Sequence, residues 1–234
     1  MKSRSLRNFL YQRISKKSYS SPVLNLDCTE FEVNNWTLSE FILERIIPVV
    51  SIRPYPLNEL LMMTSAMCWL APTHIFEWGT HLGVSARIFY ETGKAFNLKT
   101  TIHTIDLPED VHHVEHPGQE HAYYVRQLPE VKIYRGDGLD TALKLASEQP
   151  LDARLMFFID GDHSYESVHR ELSGIIEHFS RADILLHDTF YQSEASGYNI
   201  GPYRAIEDVL SHSATSYRLM RTQGGLPGMT LLYH

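Results

Sequence analysis

The chain has 234 residues, of which 43% are hydrophobic and 21% are charged, as in an ordinary soluble globular protein. A chain of this length can bury a core without a disulfide or a structural metal. Its two cysteines, Cys28 and Cys68, form neither a secreted disulfide pattern nor a metal knuckle, which predicts a cytoplasmic protein. We find no apolar run long enough to span a bilayer and no secretory signal, so we expect no membrane span.

The net charge of the chain is −7, but its N-terminal segment is basic. The first 17 residues contain six basic and no acidic residues, so the rest of the chain is more acidic than the net charge suggests. This acidity argues against nucleic acid as a partner. Two interpretations of the basic arm stay open: a solvated, partly disordered leader, or a transit or membrane-surface segment. The basic residues are Lys2, Arg4, Arg7, Arg13, Lys16 and Lys17.

No repeat or linker divides the sequence, so we expect an N-terminal extension over residues 1–50 and one domain over residues 51–234. Residues 57–70 favour a helix that stops before Pro72. From residue 74, short apolar runs alternate with helical segments, which is typical of a parallel sheet. The turn GGLPG predicts a final antiparallel hairpin. The predicted strands start at His74, Thr101, Val131, Arg154 and Asp183, and the predicted helices span residues 85–96, 119–128, 139–147, 164–179 and 203–210.

Each of the five predicted parallel strands ends in acidic or polar residues. Ligands of open α/β sheets bind beyond the carboxyl ends of the strands, so these residues should converge on one rim. We regard this convergence as the main functional signal of the sequence. The clusters are Glu77 with Gly79, Asp106, Gly136 with Asp137, Asp160 to His163, and His187 with Asp188.

The first cluster has the pattern E-x-G-x-x-x-G, which runs from a strand into a helix. Glycines permit a tight turn and a close approach of the backbone to a ligand. The pattern is neither the dinucleotide fingerprint nor a phosphate-binding loop, and the acid Glu77 suits a cationic ligand. Asp106, at the end of the second strand, lies where Rossmann-like folds hold a ribose diol.

Together with the run IDGDHSYE at residues 159–166 and the run LLHDT that follows, these motifs resemble class I S-adenosylmethionine-dependent methyltransferases. Within that class the two runs resemble the small-molecule and sugar O-methyltransferases, including the macrocin-type and cephalosporin-cluster enzymes. The resemblance covers about residues 60–234. It implies a Rossmann-like α/β fold: a mostly parallel seven-stranded sheet with an antiparallel C-terminal hairpin strand and helices on both faces.

The resemblance also implies roles for the strand-end residues in binding S-adenosylmethionine. The glycine turn would hold the methionine end of the cofactor, Asp106 the ribose, and Asp137 the adenine side. The implied cofactor-binding residues are Glu77, Gly79, Thr80, Gly83, Asp106, Asp137 and Asp160.

Metal-dependent relatives use an acid after the fourth strand and a pair after the fifth, which match Asp160, His187 and Asp188 here. Mg²⁺ prefers oxygen ligands, whereas imidazole suits transition metals. Three interpretations stay open: a site of Asp160 and Asp188 with waters that binds Mg²⁺, a site that holds Mn²⁺ or Fe²⁺ through His187, and a histidine-based mechanism without metal.

His163 is the candidate general base, since a neutral histidine can accept the proton of a hydroxyl group. The structural alternative is that it caps the helix after it or packs against Tyr165. The predicted catalytic residues are thus His163, Asp160 and Asp188. Four histidines in the loop after the second strand, His112, His113, His116 and His121, could bind metal or shape a lid.

We therefore expect an enzyme that methylates a hydroxyl of a small polar acceptor, such as a sugar or a glycosylated metabolite. A homo-oligomer stays open. Two other hypotheses are a metal-dependent hydrolase that uses the Asp and His cluster, and a cofactor-binding subunit without catalysis.

Overall fold

The computed structural model describes residues 17–108, 121–191, 193–222 and 224–234. A seven-stranded sheet has the strand order β3-β2-β1-β4-β5-β7-β6. Its first five strands are parallel, and β7 runs antiparallel to both β5 and β6. The predicted fold class, including the antiparallel hairpin, is confirmed.

The strands lie close to their predicted bounds. The strands are β1 His74–Trp78, β2 Thr101–Asp106, β3 Val131–Arg135, β4 Leu155–Ile159, β5 Asp183–His187, β6 Arg218–Arg221 and β7 Met229–Tyr233. The helices are α1 Asn35–Phe41, α2 Ile47–Val50, α3 Leu57–Leu70, α4 Val84–Ala95, α5 Gly138–Ser147, α6 Tyr165–His178 and α7 Gly201–His212, with a π-helical turn Ile42–Ile46 and a 3-10 turn Glu194–Ser196.

Two apolar layers cover the two faces of the sheet. Successive residues of a strand point to opposite faces, and in β4 Phe158 packs with α3 and α4 whereas Phe157 packs with α5, α6 and α7. The central strands are buried on both sides, which explains their continuous hydrophobic runs. The carboxyl ends of the five parallel strands lie together at one edge of the sheet, between the two layers of helices.

The segment before residue 51 packs against the first of these layers from Tyr19 onward. Phe41 is fully buried, and Tyr19 lies 5.4 Å from it, ring centroid to ring centroid. In the π-helical turn, Arg45 is buried and forms an ion pair of 2.9 Å with Glu91 of α4. The start of the basic arm, residues 1–16, lies outside the described residues. Within the described part of the chain, no helix is long and apolar enough to cross a membrane.

The helix predicted over residues 119–128 is wrong in its described part, where residues 121–127 form turns. Ala122 has a φ of 54°, which is not helical. The backbone N–H groups of Ala122 and Tyr124 donate to the carbonyls of His81 and Leu82 in the glycine turn. These two hydrogen bonds hold residues 122–124 against the glycine turn. His112, His113 and His116 lie outside the described residues.

His103 of β2 should make the fold sensitive to acid. The ring is buried, its Nε2 lies 3.1 Å from Nδ1 of His74, and its Nδ1 lies 3.2 Å from the Tyr134 hydroxyl. Burial above all, together with the nearby His74 and Lys132, lowers the pKa of His103 to about 4. The pKa is thus depressed in the folded state, so the stability it contributes is present above about pH 6.5 and is lost as the pH falls towards 4.

We therefore expect the stability difference between the natural protein and His103→Gln to shrink by on the order of 3 kcal/mol between pH 7 and pH 4. Urea unfolding at a series of pH values measures it. In the control His212→Gln the side chain is 80% exposed, and the difference should stay constant. A difference for His103→Gln that does not change with pH would contradict the expectation.

Candidate functional site

The glycine turn between β1 and α4 lies directly against the end of β4. Gly79 has a φ of 91°, and a Cβ atom there would collide with the carbonyl oxygen of Asp160 and lie 3.3 Å from the Cα of Gly161. Gly83 has a φ of 76°, and a Cβ would lie 2.6 Å from the Val125 side chain. Both positions therefore require glycine, and this packing places the turn beside Asp160.

Glu77 is a buried acid at the end of β1, close to the Thr104 and Ser85 hydroxyls. It is only 1% exposed, and neither carboxylate oxygen has a hydrogen-bond partner among the described residues. Burial raises the pKa of Glu77 to about 7, against the opposing effect of the Thr104 and Ser85 hydroxyls. A buried acid of this kind is costly unless a ligand compensates it. The carboxylate is suited to a cationic group such as the one the sequence predicts.

Asp106 lies at the end of β2, as predicted, with its carboxylate facing the same turn. Its Oδ2 accepts from the backbone N–H of His81 at 3.0 Å, and its Oδ1 accepts from that of Leu107 at 3.0 Å. Nε2 of His121 lies 3.0 Å from the same Oδ2. The carboxylate is thus fixed by two backbone N–H groups, and it also contacts His121.

Two predicted cofactor residues have partners within the protein. The Thr80 hydroxyl is buried and lies 2.6 Å from that of Thr104 in β2. The Asp137 side chain caps α5 by accepting from the N–H of Asp140, and it pairs with Arg170 of α6 at 2.9 Å. These contacts stabilise the fold locally.

The ends of β4 and β5 form a compact cluster around Asp160. Oδ2 of Asp160 accepts a hydrogen bond from the hydroxyl of Tyr55, which is buried and precedes α3. Its Oδ1 lies 2.8 Å from Nδ1 of His187 and 3.4 Å from Nε2 of His163. Asp160 therefore has a donor on each oxygen.

His187 is bound on its other side by a residue that the sequence did not predict. Its Nε2 lies 3.0 Å from Oε2 of Glu59, which is fully buried in α3. Oε1 of Glu59 accepts from the backbone N–H of Gly228 at 2.7 Å. Gly228 has a φ of 86°, and a Cβ there would lie 2.6 Å from the Phe190 backbone nitrogen, so this position requires glycine.

His163 has a similar second partner, Asp188. Its Nδ1 lies 2.8 Å from Oδ2 of Asp188, whose Oδ1 accepts from the Tyr198 hydroxyl. Asp188 has a φ of 56°, which points to local backbone strain directly after β5. The helix that follows His163 is capped by Ser164, which accepts from the N–H of Ser167. His163 is therefore not the helix cap.

The charges of this cluster compensate one another. Burial lowers the pKa of each histidine, but the surrounding carboxylates, Asp160 above all, raise the values for His163 and His187 to about 10. Burial would raise the pKa of Asp160, yet the two imidazoles and the Tyr55 hydroxyl hold it well below its usual range. Two imidazolium ions thus neutralise buried carboxylates.

Among the described residues, Asp160, His163 and His187 offer ligand atoms that lie within 4.8 Å of one another. Of the predicted metal set, the structure brings Asp160 and His187 together, and it adds His163. Oδ2 of Asp188 lies 3.8 Å from Nδ1 of His187 and 2.8 Å from Nδ1 of His163.

The sequence did contain a signal for Glu59. The helix residues Glu59, Met63 and Met67 follow one another at intervals of four, so an acid falls on the buried stripe of a helix. An acid at such a position requires a buried partner. Tyr55 left no comparable signal, since a tyrosine before a helix is as easily explained by packing.

Residues 76–189 match the family model described as "Methyltransferase domain". Solved structures with the same fold include a Podospora anserina methyltransferase bound to S-adenosylhomocysteine, which is 15% identical, with 98% of this chain and 95% of that chain covered and a TM-score of 0.54. An O-methyltransferase of Bacillus cereus in complex with S-adenosylhomocysteine is 14% identical, with 97% of each chain covered and a TM-score of 0.54.

The calicheamicin biosynthesis enzyme CalS11, a TDP-rhamnose 3'-O-methyltransferase, is 18% identical. The match covers 97% of this chain and 93% of that chain, with a TM-score of 0.51. No curated protein matches the sequence. The matched domain and the fold define the class: a methyltransferase domain on the class I sheet. Residues 76–189 are thus a methyltransferase domain, and the whole chain has the fold of these solved methyltransferases.

The contact between Gly79 and Asp160 predicts a large effect of one methyl group. In Gly79→Ala the Cβ must displace the Asp160 backbone and the residue must keep a positive φ, so we expect a loss of roughly 3 kcal/mol in the free energy of unfolding. Gly197→Ala is the matched control, because Gly197 has a φ of 67° but a Cβ atom there would meet no other atom within 4 Å. It should lose only about 1 kcal/mol. Equal losses in denaturant unfolding would show that the close approach is not required.

Proposed function

We propose that the protein transfers the methyl group of S-adenosylmethionine to a hydroxyl oxygen of a small polar acceptor, such as a sugar or a glycosylated metabolite. The proposal depends chiefly on the contact between the glycine turn and Asp160, because it joins a cofactor cleft to a cluster of charged residues. The names of the Bacillus cereus enzyme and of CalS11 support oxygen as the acceptor atom, and that of CalS11 supports a sugar.

The residues present fit the cofactor. Glu77 is a buried carboxylate that makes no hydrogen bond of good geometry with the described residues, and Asp106 is held by backbone N–H groups at the end of the neighbouring strand β2. Glu77 would face the cationic methionine end, and Asp106 the ribose hydroxyls. When bound, the cofactor supplies a methyl group activated on a sulfonium. The contribution of Thr80 and Asp137 would come from their backbone and from the local fold, since their side chains have other partners.

The cluster would orient the acceptor and remove its proton. A hydroxyl near Asp188 can donate to that carboxylate, which is held by His163 and Tyr198. The hydroxyl proton would pass to the Asp188 carboxylate as the acceptor oxygen takes up the methyl group. With a pKa of about 10 in this arrangement, His163 is already protonated near pH 7 and acts by holding the carboxylates. This role differs from that of the general base expected from the sequence.

Positioning should supply much of the rate, because methyl transfer requires the acceptor oxygen in line with the methyl carbon. The hydrolase alternative gives no role to Glu77 or Asp106 and is not favoured. The proposed setting is the cytoplasm, which is consistent with the two unpaired cysteines. A homo-oligomer and the absence of a nucleic-acid partner stay predictions.

Calorimetric titration with S-adenosylhomocysteine tests the cofactor site. We expect binding to the natural protein, and binding at least 10-fold weaker for Asp106→Asn, because a hydrogen bond to a charged group contributes about 1.5 to 3 kcal/mol. Asp152→Asn is the matched control, since Asp152 is exposed and precedes β4, at the opposite end of that strand from Asp160. Its affinity should not change.

Transfer itself is measured with methyl-labelled S-adenosylmethionine and a panel of sugars and glycosylated metabolites. Label should move to a hydroxyl of at least one acceptor, and Asp188→Asn should reduce the rate 10-fold or more while S-adenosylhomocysteine still binds. Failure to bind S-adenosylhomocysteine under any condition would reject the proposal.

A further inference from the structure

A buried ionic network joins the N-terminal segment to α4. Arg45, in the π-helical turn Ile42–Ile46, and Glu91, in α4, are both buried. Nη2 of Arg45 lies 2.9 Å from Oε2 of Glu91. On the other side of this carboxylate, Nε of Arg87 donates to Oε1 of Glu91 at 2.8 Å. Each carboxylate oxygen of Glu91 therefore has an arginine partner.

Arg87 extends the network to the segment that lies between β2 and β3. Its Nη1 donates to the backbone carbonyl of Tyr124 at 2.9 Å. A guanidinium group is planar and presents its donors in a rigid fork. Because Nε and Nη2 of Arg87 face Glu91 while Nη1 faces Tyr124, the position of the Glu91 carboxylate sets the position of the Tyr124 carbonyl.

The segment that contains Tyr124 packs directly against the glycine turn. The N–H of Tyr124 donates to the carbonyl of Leu82 at 3.0 Å. The side chain of Val125 lies where a Cβ atom on Gly83 would be only 2.6 Å away from it. Arg87 thus binds Tyr124 through its carbonyl, and the turn binds the same residue through its N–H.

The same segment reaches the carboxylate that we assign to the ribose. The N–H of Ala122 donates to the carbonyl of His81 at 2.7 Å, and the N–H of His81 donates to Oδ2 of Asp106 at 3.0 Å. Nε2 of His121 lies 3.0 Å from the same oxygen. A displacement of this segment would therefore move His81 and His121, which both contact Asp106.

Stability alone does not explain a network of this kind. Burial of charged groups has a desolvation cost, and apolar side chains of similar volume can often replace a buried ion pair without loss of stability. Charged partners do restrict geometry, because a displaced partner leaves a buried charge unpaired. The segment at residues 121–127 depends on such restraints, since it forms turns and not a helix.

We propose that Arg87, held by Glu91 and Arg45, is a positioning residue for the ribose end of the S-adenosylmethionine site. The N-terminal segment, which lies outside the matched domain, takes part in cofactor binding through Arg45. The inference rests on the proposed function, because it takes Asp106 as the residue that binds the ribose hydroxyls. Substitutions in the network should therefore weaken cofactor binding although the network lies behind the turn.

Calorimetric titration of the full chain with S-adenosylhomocysteine tests the role of Arg87. Arg87→Met removes the fork and leaves Glu91 paired with Arg45, so the fold should be retained. We expect binding about 10-fold weaker than in the natural protein, because the Tyr124 carbonyl loses this donor and its segment shifts. Lys94→Met is the matched control, since Lys94 lies in the same helix and forms an exposed ion pair. Its affinity should not change.

A double-variant cycle separates positioning from a general structural effect. If Arg87 acts through Asp106, the losses caused by Arg87→Met and Asp106→Asn should not multiply. The double variant should then bind S-adenosylhomocysteine at most about 2-fold more weakly than Asp106→Asn alone. Independent effects would make the double variant about 10-fold weaker than Asp106→Asn, which would overturn the inference.

Arg45→Met tests the contribution of the N-terminal segment. It leaves the ion pair of Arg87 and Glu91 in place, and we expect binding about 3-fold weaker. Ile88→Val is the matched control for stability, because it shortens a fully buried side chain of the same helix. It should lower the free energy of unfolding and leave the affinity unchanged. Equal weakening of binding by the two variants would overturn the inference.

Circular dichroism and urea unfolding show whether each variant folds. Should Arg87→Met unfold, Arg45→Met and Ile88→Val decide the question, since Arg45→Met keeps one of the two ion pairs. Unchanged affinity in Arg87→Met, or equally weakened binding in Lys94→Met, would overturn the inference while the natural protein still binds S-adenosylhomocysteine. Absence of binding to the natural protein would reject the proposed function as well. The two failures are therefore distinguishable.

Discussion

The charge of Asp160 is the constraint on which the site depends. Its carboxylate lies among buried groups, and an uncompensated charge there would be expensive. The Tyr55 hydroxyl and the two imidazoles compensate it and hold its pKa well below the usual range. The backbone of the same residue touches Gly79 in the cofactor turn. Asp160 thus links the hydrogen bonds of the cluster to the shape of the cofactor cleft. We therefore expect a substitution in the cluster to affect the cleft, and a substitution in the cleft to affect the cluster.

The groups that compensate Asp160 come from distant parts of the chain. Tyr55 and Glu59 precede the first strand, the two histidines follow β4 and end β5, and Gly228 lies in the final hairpin turn. The matched domain, residues 76–189, therefore contains the strand ends but not everything that holds them. The remaining segments pack onto the same core and complete the site. This explains why a methyltransferase sheet alone does not define this cluster.

The sequence predicted the sheet well, because apolar runs that end in acids are local patterns. It also predicted that Glu77, Asp106, Asp160 and Asp188 lie at one edge of the sheet, because the carboxyl ends of parallel strands lie at the same edge. It could not predict Tyr55, whose importance comes only from a long-range contact, and the buried position of Glu59 on its helix did not identify His187 as its partner. Nor could it predict that the segment after residue 120 would bond to the glycine turn in place of forming a helix. The two roles that the structure changes most, those of Asp137 and His163, depend on partners from other elements, Arg170 and Asp188.

A crystal structure of the full chain with S-adenosylhomocysteine tests the account most directly. The account predicts S-adenosylhomocysteine against the glycine turn, with its ribose at Asp106 and its methionine end facing Glu77. A cofactor bound elsewhere would contradict the assignment of the cleft.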